Sequence, residues 1–158
     1  MLVPAILYKE EIAKNFKKYY YTDDMMYETG YLDNWNPEIH ENPDACTYQY
    51  AIVDSNEKLI GYLAYTIDWY GSSAYSFGLI SFDRGNPIVG RDLFNEMEKL
   101  IHEYKLHRIE WRVVNGNPVK KHYDKFCKKY NGNIIKLTDV FKDKYGNYRD
   151  SYIYEILN

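Results

Sequence analysis

The chain has 158 residues and 18.9 kDa, with 46% hydrophobic and 27% charged residues. Those values describe one globular domain spanning residues 1–158, with enough chain to bury a core, and exclude disorder as its main state. A formal charge of −3 with pI near 5.8 argues against a general nucleic-acid binder, and Cys46 and Cys127 are too few for a disulfide framework or a four-thiolate metal site.

The opening MLVPAILYKEE is a short apolar run broken by Pro4 and followed at once by charge, without the basic lead and apolar stretch of a signal peptide. No apolar run is long enough to span a membrane, so a cytoplasmic protein with reduced thiols is expected. From Tyr8 to Tyr20, Ile12, Phe16 and the Tyr19–Tyr20 pair recur at helical spacing opposite Lys14, Lys17 and Lys18. Thr22-Asp23-Asp24 then reads as the cap of a short second helix through Met25, Met26 and Glu28, stopped at Gly30. Asn36-Pro37 and Asn42-Pro43 mark residues 31–46 as loop.

Strand character follows. Tyr48–Asp54 and Leu59–Asp68 flank four polar residues, the signature of a hairpin, and a third apolar run covers Tyr75–Phe82. A loop with Gly and Pro from Asp83 to Gly90 leads into an amphipathic helix carrying Leu93, Phe94, Met97, Leu100, Ile101 and Tyr104 on one side. Arg108–Val114 alternates as a strand. Asn117-Pro118 opens a further helix, with Asn as cap and Pro at the first helical position, and Val119, Tyr123, Phe126, Cys127 and Tyr130 form its apolar stripe. Asn131-Gly132 stops it, and Ile134–Val140 with Tyr148–Leu157 form a last hairpin. The order ααβββαβαββ is that of an α/β or α+β sheet with packed helices.

The stretch Ile80 to Leu100 is the richest in chemistry. A strand, a loop with Gly85 and Gly90, and a helix start together make a candidate anion site, because the first amides of a helix lack partners and glycine permits close approach. A nucleoside-triphosphatase loop is excluded, since Arg91-Asp92 stand where Lys and a hydroxyl residue are needed. The dinucleotide pattern is absent as well. His40, His102, His107 and His122 lack metal-ligand spacing, so no metal is expected. Charge is divided along the chain. No Lys or Arg stands between Lys18 and Lys58, whereas Arg91, Lys120, Lys121, Lys125, Lys128 and Lys129 make the later part basic. One end can attract a cation and the other an anion.

On its element order, on RGNPIVGRDL and on NPVKKHYDKF, the sequence resembles the GNAT acyl-coenzyme A N-acyltransferases, best from Tyr48 to Tyr130. The resemblance implies a mixed, mostly antiparallel twisted sheet of six to seven strands with helices on both faces. It also implies acetyl-CoA as co-substrate, a primary amine of a small molecule or peptide as acceptor, direct attack in a ternary complex, and no metal, nucleic acid or membrane partner. Homodimers are common in the family. Carried over, Ile80, Ser81 and Phe82 would pair with pantetheine, while Gly85, Asn86, Ile88, Val89, Gly90, Arg91 and Asp92, with Asn117 nearby, would hold pyrophosphate. Tyr123 would be the acid protonating the leaving thiolate. Glu110 and Asp68 are the candidate bases, and Asp23, Asp24, Glu28 and Trp69 would face the acceptor. The family's two loop glycines correspond to Pro87 and Val89, so a non-catalytic binding module on the same fold is the alternative.

Overall fold

The computed structural model describes residues 1–20, 22, 37–42 and 44–158. The expected second helix beyond its Thr22 cap, residues 23–30, lies outside the described residues, and so do Asp23, Asp24 and Glu28.

Seven strands form one sheet: β1 (Leu2–Pro4), β2 (Thr47–Val53), β3 (Leu59–Asp68), β4 (Ser73–Ser81), β5 (Arg108–Val114), β6 (Asn133–Lys142) and β7 (Tyr148–Leu157). Their spatial order is β1-β2-β3-β4-β5-β7-β6, and every pair is antiparallel except β4 with β5. The helices are α1 (Lys9–Tyr19), α2 (Pro87–His102) and α3 (Lys120–Lys129), with a 3-10 turn at Ala5–Tyr8.

Period-two alternation divides the core between the faces of this sheet. On one face, Leu63, Tyr65, Ile67, Ile109, Trp111 and Val113 pack against Leu93 and Met97 of α2 and Phe126 of α3. On the other, Ala51, Tyr62, Ala64 and Ile80 receive Ile12 and Phe16 of α1. Phe16 meets Tyr62 and Phe82 edge-on, with centroids 5.7 and 5.6 Å apart.

Two expectations require correction. The N-terminal run is an edge strand, β1, pairing Leu2 with Ile52 and Val3 with Ala51. Three residues carry too little periodicity to announce themselves, and tertiary pairing makes the strand. The second concerns the loop expected to run to Gly90. Helix α2 already begins at Pro87, capped by Asn86, whose Oδ1 accepts the Ile88 N–H at 3.0 Å. Asn86-Pro87 is the same start signal as Asn117-Pro118, where Asn117 Oδ1 accepts the Val119 N–H at 3.0 Å. There the first turn spans residues 117–120, and the regular helix follows from Lys120.

A β-bulge decides what the centre of the sheet can do. Thr66 lies opposite Tyr75 and Ala64 opposite Gly78, so Ser76 and Phe77 together oppose Tyr65. Ser76 adopts φ 54°, the left-handed conformation such an extra residue often takes. The parallel pairing of β4 with β5 is confined to Ser73–Arg108 and Ala74–Ile109 and stops just before the bulge. Beyond it the two strands part, leaving a slot.

Candidate active site

A cleft of ≈ 620 Å³ occupies that slot and the space above it. Its floor is apolar, formed by Phe77 and Leu79 of β4, Trp111 and Val113 of β5, and Leu93 and Met97 of α2. Tyr123 of α3 and Phe94 of α2 form its wall, and both Asn-Pro corners open onto it. Arg84, Arg91, Arg112, Lys121 and His122 also line it, and among the described residues no acidic one does, so the cleft is a cation-rimmed trough.

Main-chain orientation in the slot follows from one hydrogen bond. The Phe82 N–H donates to Ile60 O at 2.9 Å. By antiparallel alternation, Phe82, Ile80 and Gly78 spend their main-chain groups on β3, whereas Ser81 and Leu79 turn theirs toward the slot, where no strand pairs with them. Of the expected Ile80, Ser81 and Phe82, only Ser81 turns its main-chain groups to the slot, together with Leu79, while those of Ile80 and Phe82 are taken by β3. The side chains of Ile80 and Phe82 point to the α1 face.

The amide cradle expected around Asn86–Arg91 is also corrected. Asn86 N–H donates to Asp83 O (3.1 Å), Pro87 has no N–H, Ile88 is held by its cap, and Val89 N–H donates to Asn86 O (3.3 Å). From Gly90 onward the amides lie within the regular helix, where each N–H bonds back four residues. The Gly85 N–H alone of this run has no acceptor among the described residues. Gly85 has φ 79°, as the third position of a type II turn over residues 83–86 demands. Where a Cβ would stand on Gly85 or Gly90, no other atom lies within 4 Å, so both open onto free space.

Ser81, Gly85, Asn86, Val89, Gly90, Arg91, Asn117 and Tyr123 are brought together in this cleft; Ile88 and Asp92 are not among its lining residues. Asp92, expected among the pyrophosphate-holding residues, is buried and meets the Met1 ammonium at 2.5 Å and Arg91 at 3.0 Å, which takes its carboxylate out of the trough. Tyr123 is 6% exposed, with Trp111, Phe94 and Tyr154 rings 6.1, 6.1 and 5.8 Å away. Behind it, Tyr154 Oη donates to Asp124 Oδ1 at 2.6 Å, and Lys120 Nζ donates to both Asp124 oxygens. Burial and the Asp124 carboxylate push the Tyr154 hydroxyl far above the usual tyrosine range. Burial raises Asp124, but the hydrogen bonds from Tyr154 and Lys120 outweigh it and hold the carboxyl below its ordinary value.

Neither expected base stands free in the cleft. Asp68 Oδ1 accepts the N–H groups of Tyr70 and Gly71, both at 3.0 Å, and so caps the β3–β4 turn. Glu110 is held by Arg108 at 2.5 Å and Arg112 at 3.4 Å. Trp69 donates its indole N–H to Ala45 O and packs on Tyr104. The sequence reading missed Arg84, Trp111 and Arg112. Arg84 opens the RGNP motif and so carried a signal. Trp111 and Arg112 lay within a strand whose splaying no local pattern records.

No protein-family model matches the chain, and no curated protein does. Solved structures do. The spermidine/spermine N-acetyltransferase SpeG from Vibrio cholerae, in complex with manganese ions, superposes with TM-score 0.57 at 20% identity, covering 72% of this chain and 66% of that one. A dodecameric spermidine N-acetyltransferase from Vibrio cholerae gives TM-score 0.56, 20% identity and coverages of 72% and 66%. A probable acetyltransferase gives TM-score 0.56, 16% identity and coverages of 73% and 64%. The match spans slightly under two thirds of the length of each of these proteins. The chain has the GNAT fold.

Proposed function

We propose that the protein is an N-acetyltransferase that moves an acetyl group from acetyl-CoA to a primary amine of a small molecule or peptide by direct attack in a ternary complex. The observation carrying this reading is the slot between β4 and β5. Its unpaired main-chain groups on Leu79 and Ser81 lie over an apolar floor and under a cationic rim, so that one trough suits an extended, amide-bearing arm ending in phosphates.

Acetyl-CoA supplies an acyl group activated as a thioester. Arg91, Lys121 and the open Gly85 and Gly90 positions would hold its phosphates, together with the Gly85 N–H, which has no acceptor among the described residues. Side-chain cations thereby replace the helix-terminal amides that Asn86 occupies, and rotation of Asn86 away from Ile88 would return one of them. The slot-facing N–H groups of β4 would polarise a carbonyl placed in the slot. Tyr123 would keep its proton until the sulfur leaves and then deliver it. A primary amine near pKa 10.4 must lose a proton at a cost of about 4–5 kcal/mol at neutral pH. With Glu110 and Asp68 engaged in ion pairing and turn capping, that proton goes to water in the cleft. The stretch between Lys18 and Lys58, which carries acids and no base, would draw the amine in. Spermidine, named for two of the similar structures, belongs among the amines to be tried.

The second reading is a binding module on this fold, favoured by the occupied helix-terminal amides. The test is a thermal-shift and calorimetric titration with acetyl-CoA, followed by an amine panel with free-thiol detection. At 100-fold over Kd, acetyl-CoA should stabilise the protein by about 2.7 kcal/mol. Thiol release should then fall in Tyr123→Phe without loss of acetyl-CoA affinity. No stabilisation at millimolar acetyl-CoA defeats the enzyme reading, and binding without thiol release from any amine favours the module.

A further inference from the structure

Helix α3 carries a row of cations that the acetyl-transfer chemistry leaves largely unused. Its sequence KKHYDKFCKK holds five lysines against one acid, in a chain whose formal charge is −3. Two of the five are engaged, Lys120 with Asp124 at 2.9 Å and Lys129 with Glu98. Lys121, Lys125 and Lys128 are exposed and have no ion-pair partner among the described residues. At i, i+4 and i+7 they share one side of the helix, opposite the buried Tyr123, Phe126 and Cys127, over about 10 Å of its axis. Like charges at this spacing repel, and Lys121 stands in the first turn, where the macrodipole disfavours a cation. The row thus weakens the free helix slightly, a cost offset only by anions laid along it.

Its position says which anions. Lys121 and His122 line the cleft beside Arg91, whereas Lys125 and Lys128 do not, so the row starts at the phosphate end and leads away over the outer surface. An acceptor ammonium would be repelled there. A macromolecule seated over this mouth would bar free acetyl-CoA unless it brings the acyl group itself. We infer that the outer side of α3 docks an acidic carrier protein whose acylated phosphopantetheine arm enters the slot, an assignment that rests on the acetyl-transfer reading above. Such an arm ends in one phosphodiester, which Arg91 and Lys121 suit without the amide cradle that Asn86 closes. Carboxylates around its point of attachment meet Lys125 and Lys128. The chemistry is otherwise the same. The C–S bond of the arm breaks and a C–N bond to the amine forms. The ammonium gives up two protons, one to water and one that ends on the sulfur by way of Tyr123.

The test is calorimetry with three ligands: an acidic acyl carrier protein bearing an acetylated arm, free acetyl-4′-phosphopantetheine, and acetyl-CoA. Wild type should bind the acetyl-carrier about tenfold tighter than the free arm. Lys125→Gln/Lys128→Gln should weaken the carrier about fivefold, the worth of two exposed ion pairs, and shift the other two ligands by under about twofold. Carrier binding no tighter than the free arm, or undiminished in the double variant, overturns the inference while leaving acetyl transfer standing. An equal loss for acetyl-CoA does the same, because the row would then serve the nucleotide. An oligonucleotide that binds as tightly as the carrier and suffers the same loss overturns it in favour of nucleic acid. A wild-type protein that binds none of the three ligands overturns both readings.

Discussion

Deleting Ser76 isolates the cause of the slot. The residue is the extra member of the bulge, so its loss leaves Tyr75 opposite Thr66 and Gly78 opposite Ala64, with Phe77 alone facing Tyr65. No side chain changes face, and the Tyr65–Phe77 stack, now at 5.0 Å, is retained. Straightened, β4 can continue its parallel ladder past Ala74, and the groups on Leu79 and Ser81 gain β5 as partner. Relief of a left-handed serine contributes about 1 kcal/mol. Two new main-chain hydrogen bonds contribute about 1 kcal/mol each. The deletion should thus stabilise the fold by about 3 kcal/mol, roughly 6–12 °C in Tm for a chain of this length, while abolishing ligand entry to the slot. Hydrogen exchange of the Leu79 and Ser81 amides reads this directly and needs no ligand. Both should exchange freely in the native protein and slow at least tenfold in the deletion, since 1.4 kcal/mol of local protection already gives that factor. Exchange as fast as in wild type, above all with lowered stability, would refute the bulge as the origin of the slot.

The buried Tyr65–Glu96 pair gives a second prediction. Tyr65 Oη donates to Glu96 Oε1 at 2.5 Å, and burial together with that carboxylate pushes the hydroxyl far above its usual range, so it remains a donor at every working pH. Tyr65→Phe should cost about 2 kcal/mol in urea unfolding by leaving the buried Glu96 carboxylate with only Lys99, 3.8 Å away, and adding Glu96→Met should recover most of it. Stability should also fall in acid. Asp124 and Glu155 have carboxyls held below 3.8 and 4.5, the ordinary values for their types, Glu155 chiefly by its hydrogen bond from Arg108. Their contribution is complete above those values and is lost as pH drops through the lower folded-state ones, so urea midpoints should be flat in this respect above pH 5 and decline below about pH 4. A midpoint that rises on acidification to pH 3.5 would contradict the assignment.

Wherever the signal was local, it was legible in the sequence. The stripe of Leu93, Met97 and Ile101, the alternation of Ile109, Trp111 and Val113, and the Asn117-Pro118 corner place a helix or strand unaided, because amphipathic period and capping act within a few residues. Tyr123 reached the cleft for the same reason, being on a predicted helix after a predicted strand. What failed was long-range or hidden by a stronger local cue. The strand at Leu2–Pro4 exists only through its pairing with β2, and Gly90 drew the loop past a cap already present at Asn86.

The chain alone determined the order of the strands from Thr47 onward and the split of acid from base, since each follows from residue type and spacing. Only the folded molecule decided which strands separate, which amides remain unspent and which carboxylates are already paired. Those depend on one inserted residue at Ser76 and on partners as distant as Phe82 from Ile60 or Arg108 from Glu155. A hydrogen bond is a statement about two groups in space, and no spacing along a single chain records whether the second group has arrived.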